Sequence, residues 1–204
     1  MLAAITTLLL SIFVCNAAAF DDSKLSPCLR VCLKPIVNFE RTYAYQFKNF
    51  EKVCDKLEAG AHCSRKCDLA DQRAFYHYTT FYRLHCVDFQ EELEEHLECL
   101  TEIAPQIDNK CRAQCVTKFD KNAGKEVEVK NKCKAVECST VCYYQEFSNA
   151  CPGTHDILLR INMRQINDVI STATPEAIQS MHEDCLRLYD MDYMRRKLLG
   201  EPDL

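Results

Sequence analysis

The sequence predicts an all-α fold: a disulfide-rich helical bundle assembled from two related helical halves packed together. Three observations carry that expectation. Only 4 glycines occur in 204 residues, with no tryptophan, which is too little turn chemistry for phosphate loops, dinucleotide-binding turns or many-hairpin β folds. Apolar residues recur at helical spacing along most of the chain. Four Cys-x3-Cys pairs punctuate it: Cys28/Cys32, Cys63/Cys67, Cys111/Cys115 and Cys138/Cys142. Cysteines four apart share one helix face with Cβ atoms about 5–6 Å apart. A disulfide wants its Cβ atoms roughly 3.8 Å apart, so each pair must reach to a neighbouring segment.

The chain opens with MLAAITTLLLSIFVCNAAAF, apolar from Leu2 to Val14 and uncharged. Small residues at Ala17, Ala18 and Ala19 complete the pattern of a secretory signal peptide cut after Ala19. Asn16 interrupts the run before the ~20 apolar residues a membrane span needs, and no later stretch is apolar enough to cross a bilayer. The expected divisions are a signal peptide at 1–19, a first half at 20–103, a second half at 104–190 and a C-terminal tail at 191–204.

Ser26-Pro27 reads as an N-cap followed by proline at the first helical position, and Pro35 should end or kink that helix. A second helix carries an apolar stripe, Phe39, Tyr43, Phe47, Phe50, Cys54 and Leu57, with Gly60 placed as its C′ glycine. The stripe reads first as core, and a ligand-binding role is the alternative. Phe75, Tyr78, Tyr82 and Cys86 continue the period after Cys63 and Cys67. Phe89, Leu93, Leu97 and Leu100 then form one face, with Asp88 as N-cap and Glu91 three residues on. Glu91, Glu92, Glu94, Glu95 and Glu98 fill the other faces as a solvated surface. They lack the Asp-x-Asp-x-Asp-Gly loop of a calcium site.

Ala104-Pro105 starts the second half, and Cys111 and Cys115 sit on a helix. Six lysines against Asp120, Glu126 and Glu128 make 118–134 locally basic, as in a solvated loop or a patch for an acidic glycan or partner. Cys151-Pro152-Gly153 is a turn. Leu159, Met163, Ile166 and Ile170 mark one side of the next helix. Thr174-Pro175-Glu176 opens the last, with Ile178, Met181, Cys185 and Leu188 buried. Arg195, Arg196 and Lys197 suit a final helical turn ahead of Gly200 and Pro202, with a convertase cleavage site as the other reading.

Of 15 cysteines, Cys15 lies in the signal. The remaining fourteen, Cys28, Cys32, Cys54, Cys63, Cys67, Cys86, Cys99, Cys111, Cys115, Cys133, Cys138, Cys142, Cys151 and Cys185, suffice for seven structural disulfides in an oxidising compartment. Sequence does not choose among their many pairings. Facing Cys-x3-Cys pairs would clamp antiparallel hairpins as Cys28 to Cys67 with Cys32 to Cys63, and Cys111 to Cys142 with Cys115 to Cys138. The halves also match in outline: each places a single cysteine, Cys54 or Cys133, between its two pairs, as an imperfect duplication would.

The segments SPCLRVC, FEKVC, AHCSRKC, LHCVDFQEELEEHLECL and AVECSTVC…ACPG together resemble the nematode chondroitin proteoglycan 4 type domain, from about Cys28 to Cys185. That resemblance implies a secreted, non-enzymatic helical module, some of whose relatives carry glycosaminoglycan chains in eggshell or matrix. This chain departs from the carrier role. None of Gly60, Gly124, Gly153 or Gly200 follows a serine, and none of the nine asparagines begins an Asn-x-Ser/Thr sequon.

The expected function is therefore a secreted, extracellular interaction or structural module, acting on an unknown extracellular protein or glycan. No catalytic residue, cofactor or metal is expected. A net charge of −5 argues against nucleic acid. A carrier of small apolar ligands is an alternative class. A secreted hydrolase is another, similar to the small phospholipases A2, but His62 and His85 each precede a single cysteine and no G-x-S-x-G elbow occurs. His77, His96, His155 and His182 have no nucleophile paired with them in the sequence. Twin Cys-x3-Cys hairpins also resemble small mitochondrial translocase chaperones, which are shorter and carry no secretory signal. Oxidised thiols and x3 spacing disfavour zinc.

Overall fold

The computed structural model describes residues 25–116, 124–172, 175–179 and 181–202. Among them all regular structure is helical. The expected signal peptide, the Thr174 cap and residues 118–123 of the basic stretch lie outside the described residues. Two compact units divide between Ala104 and Pro105.

In the N-terminal unit, α1 spans Pro27–Val37. Ser26 Oγ caps it by accepting from Leu29 N at 3.0 Å and also donates to the Asp71 carboxylate. The helix does not stop at Pro35 but runs two residues further. The carbonyl that loses its partner there belongs to Val31, an exposed residue, so water can replace the missing bond.

The aromatic stripe is not one helix. A six-residue α2, Tyr43–Lys48, breaks at Asn49 before α3, Phe50–Ser64. The buried face of α3 is Phe50, Val53, Leu57, Gly60 and Ser64. Gly60 is therefore not a C′ glycine. It lies inside α3, where a Cβ would stand 3.0 Å from Phe75 Cζ, 3.1 Å from the Cys32 carbonyl oxygen and 3.1 Å from Ile36 Cδ1. Its lack of a side chain lets α1 approach α3.

Asp68 caps α4, Leu69–Tyr78, accepting from Asp71 N at 2.8 Å. The period read through Tyr82 and Cys86 is interrupted at Thr79. A short α5, Thr80–Arg83, leads into a π-helical turn, Leu84–Asp88. Asp88 does not cap the helix that follows. It ends the π turn and pairs with Arg83 at 2.5 Å, while α6, Gln90–Glu94, begins after Phe89 with no side-chain cap. Leu93 and Leu100 are buried as expected, and the five glutamates are exposed. The N-terminal core gathers Leu25, Leu29, Leu33 and Ile36 against Val53, Leu57 and Phe75.

Helix α7, Leu97–Cys115, runs through Pro105 without ending, and the unit boundary falls within it. The C-terminal unit is organised on α8, Lys125–Ala150. Lys125–Lys134 is thus helix and not loop. A 3-10 turn, Pro152–Thr154, reverses the chain into α9, His155–Thr172. Of the four residues expected on the inner side of α9, only Ile166 is buried. The face is Ile157, Leu158, Ile161 and Gln165. The single last helix is instead three: α10 (Pro175–Gln179), α11 (Glu183–Leu186) and α12 (Met191–Leu199). Cys185 is buried, whereas Ile178, Met181 and Leu188 are only half-buried.

Residues 191–204 contain more than a tail. Met194 and Leu198 of α12 are buried, and Tyr193 Oη donates to Glu137 of α8 at 2.9 Å. The Gln145 amide donates to the carbonyls of Lys197 and Leu198. Gly200 closes α12 at φ 71°, its N–H and that of Glu201 returning to Lys197 and Arg196. Arg196 and Lys197 occupy the last turn, where cations oppose the helix dipole.

Candidate functional site

The residues singled out by sequence are cysteines, and the structure arranges them as clamps. Cys28 and Cys32 on α1 meet Cys67 and Cys63, with Cα separations of 5.9 and 5.4 Å. Cys111 and Cys115 on α7 meet Cys142 and Cys138 on α8, at 5.7 and 5.5 Å. These are the four pairings that spacing favoured. One detail differs: Cys67 lies in the turn after α3, not on a helix face, because α3 ends at Ser64.

The middle cysteine of each set reaches forward. Cys54 on α3 bridges to Cys86 in the π turn, and Cys133 on α8 bridges to Cys185 on α11. Both units therefore repeat one order: outer to outer, inner to inner, middle to a later cysteine. Cys86 and Cys185 correspond in this scheme although their spacings differ. Cys99 and Cys151 are disulfide-bonded as well.

In the first clamp the two bridges lie side by side, Cys32 Sγ 3.9 Å from Cys67 Sγ. The sulfurs of Cys28, Cys32 and Cys67 all fall within 4.8 Å of one another. As disulfide sulfurs they offer no thiolate, the form in which cysteine binds metal.

A second feature of the N-terminal unit is an aromatic box around His85, in the π turn. Its ring is 1% exposed. Phe81 stands 4.7 Å from it, Tyr43 6.3 Å and Phe47 6.4 Å between centroids. Nδ1 lies 2.7 Å from the Phe81 carbonyl oxygen. A carbonyl only accepts, so Nδ1 carries the hydrogen, and the lowered pKa that burial gives the ring leaves it neutral at pH 7. Burial pushes its pKa down to about 4, partly opposed by that carbonyl. The stripe residues Phe47 and Phe50 are buried, and Phe39 and Tyr43 pack ring against ring with Tyr82 and Phe81. These are the contacts of core packing.

In the C-terminal unit, Tyr144 and His155 meet across the Cys-Pro-Gly turn, Oη to Nε2 at 3.0 Å. His155 Nδ1 is 3.1 Å from Asp156 Oδ1. Nothing in the sequence marks this pair except the turn that folds α9 back on α8. The chain has the order of a catalytic relay, with a tyrosine where a nucleophile would stand. Burial raises the Tyr144 pKa, so the hydroxyl stays protonated and acts as a donor. Asp156 is 93% exposed, so water competes for the third member. The arrangement fastens α9 to α8.

The lysines of the basic stretch are also engaged. Buried Asp184 on α11 lies 3.6 Å from Lys130 and 3.9 Å from Lys134, beside the Cys133–Cys185 bridge. The N–H of Asp184 donates to His182 Nδ1 at 3.1 Å. Lys132 pairs with Glu128. Part of the charge that could meet an acidic glycan is thus neutralised within the unit. No helix among the described residues is long and apolar enough to cross a membrane.

The fold and its bridges define a disulfide-clamped, all-helical module suited to an oxidising, extracellular setting. The family model described as chondroitin proteoglycan 4 matches residues 18–190, and the chain belongs to that family. Neither the curated proteins nor the solved structures give a match to this chain.

Proposed function

We propose that this protein is a secreted, non-enzymatic structural or interaction module of the extracellular matrix or eggshell, which engages a protein or glycan through the shape of its helices. The observation that carries the reading is the bridging itself. Every cysteine after Cys15 is disulfide-bonded, in two clamp sets of the same order. A mature chain of about 185 residues can bury roughly 70% of its unfolded surface without such help. Bridges in that number suit persistence outside the cell, against proteolysis and unfolding. Membership of the chondroitin proteoglycan 4 family supports the matrix assignment, while the lack of Ser-Gly in this chain supports the module without the sugar.

The test is to express the tagged full-length chain in cells that lay down matrix, then fractionate medium, matrix and cytosol. Peptides mapped without reduction and a chondroitinase digest complete it. The expected result is cleavage after Ala19, seven bridges, no change in mobility on digestion, and retention in the matrix fraction. Reduced cysteines in a cytosolic pool would overturn secretion. Free recovery from the medium would overturn matrix association, and robust turnover by the purified protein would overturn the non-enzymatic reading.

A further inference from the structure

We propose that α2 is an acid-released latch whose catch is the neutral ring of His85. The six residues of α2, Tyr43–Lys48, include no cysteine, whereas α1, α3 and the π turn are all tied by bridges. Two α2 side chains, Tyr43 and Phe47, wall the box that encloses His85. Beside them Gln46 is 1% exposed, and neither its amide nitrogen nor its amide oxygen has a hydrogen-bond partner. A buried amide left unsatisfied favours the state that returns it to water. Release of α2 hydrates Gln46 and His85 together.

Protonation adds charge at Nε2 inside an aromatic enclosure. The polar groups around the ring offer it little compensation, and burial outweighs what the aromatic faces supply. Phe81 of α5 contributes a carbonyl already used by Nδ1, and Tyr43 of α2 is neutral at acid pH. In the same turn Arg83 and Asp88 pair with each other. Lys48 of α2, the α3 carboxylates Glu51, Asp55 and Glu58, and Glu91, Glu92 and Glu94 of α6 face solvent. The closed ring takes its proton at about 4 and the opened ring at the ordinary value near 6.5. Opening is therefore favoured as pH falls through 6.5, and the gain levels off below 4. Between pH 7.5 and pH 5.0 the opening constant should rise about 30-fold. The latch is independent of the matrix reading.

The experiment follows amide hydrogen exchange in the oxidised full-length protein at pH 7.5 and 5.0, corrected for intrinsic rates. The amides of Gln46–Asn49 should lose about 30-fold in protection. Those of Leu33 in α1 and Leu57 in α3 should not change, and His85→Phe should abolish the response. Unchanged protection in α2, an equal loss at Leu33 and Leu57, or an acid response that survives His85→Phe would each overturn the latch. If that variant is not secreted, the His85 ring is titrated by NMR in the wild type. A ring that titrates near 4 while the α2 amides lose protection between pH 6.5 and 4 upholds the proposal, and a ring that titrates near 6.5 overturns it.

Discussion

Replacing Gly60 by alanine tests whether the first helical pair is set by close approach. In an ordinary mid-helix position the exchange stabilises by about 1 kcal/mol, because glycine has the more flexible unfolded chain. Here the new methyl would meet Phe75 Cζ at 3.0 Å and the Cys32 carbonyl oxygen and Ile36 Cδ1 at 3.1 Å. The ends of Phe75 and Ile36 can give by a few tenths of an ångström. The Cys32 carbonyl cannot easily follow, since it sits on a helix bound to α3 at Cys63, three residues from Gly60. Overpacking typically costs about 1–3 kcal/mol, which exceeds the propensity gain. The expected net effect is a loss of about 1 kcal/mol, or roughly 2–4 °C in Tm for a chain of this size. Urea unfolding with the bridges intact measures it. The double variant Gly60→Ala with Phe75→Leu should recover part of the loss through coupling between touching residues. A Gly60→Ala protein about 1 kcal/mol more stable than wild type would refute the close-approach account.

Removing the inner bridge with Cys32→Ala and Cys63→Ala should cost about 2 kcal/mol or less, because the outer bridge still closes an overlapping loop. Removing both should cost more than the two single losses together, and simple additivity in guanidinium unfolding would contradict the clamp. Ser26→Ala should cost about 1–2 kcal/mol, as it removes the cap on Leu29 N and the bond to Asp71; thermal melting beside Ser26→Thr reads the difference. Truncation before Met191 should destabilise the C-terminal unit and expose apolar surface to dye binding, since Met194 and Leu198 are buried. An unchanged melting curve would show α12 to be dispensable. Burial holds the Tyr189 pKa up at about 12, so the contribution of its neutral, buried form to stability is present below pH 10 and is lost as pH rises through 10 towards 12. Tyr189→Phe should delete a late-ionising tyrosine from the ultraviolet titration.

Some of this molecule is legible without its fold. The Ser26-Pro27 start, the Gly200 stop and the acidic face after Asp88 depend on groups within a turn or two of each other, which the sequence displays directly. The clamps are legible for a related reason: spacing of four makes a self-bridge unfavourable and leaves a facing pair as the simplest partner. Tertiary structure decided the rest, because it depends on which segment arrives from elsewhere. Gly60 has the look of a helix terminus until α1 is laid against it. Asn49, Thr79 and the Glu95–His96 turn break helices whose apolar period continues across them, since the bent chain still packs those side chains inward, wholly at Phe47, Phe50, Leu93 and Leu100 and in part at Tyr78, Tyr82 and Leu97. Asp184 acquires its lysines, Tyr144 its histidine and His85 its aromatic box only when distant residues are brought together. Periodicity reports that a stretch is helical more surely than which face it buries, as α9 shows with its inner side at Ile157, Leu158, Ile161 and Gln165, and it is silent on what that face will meet.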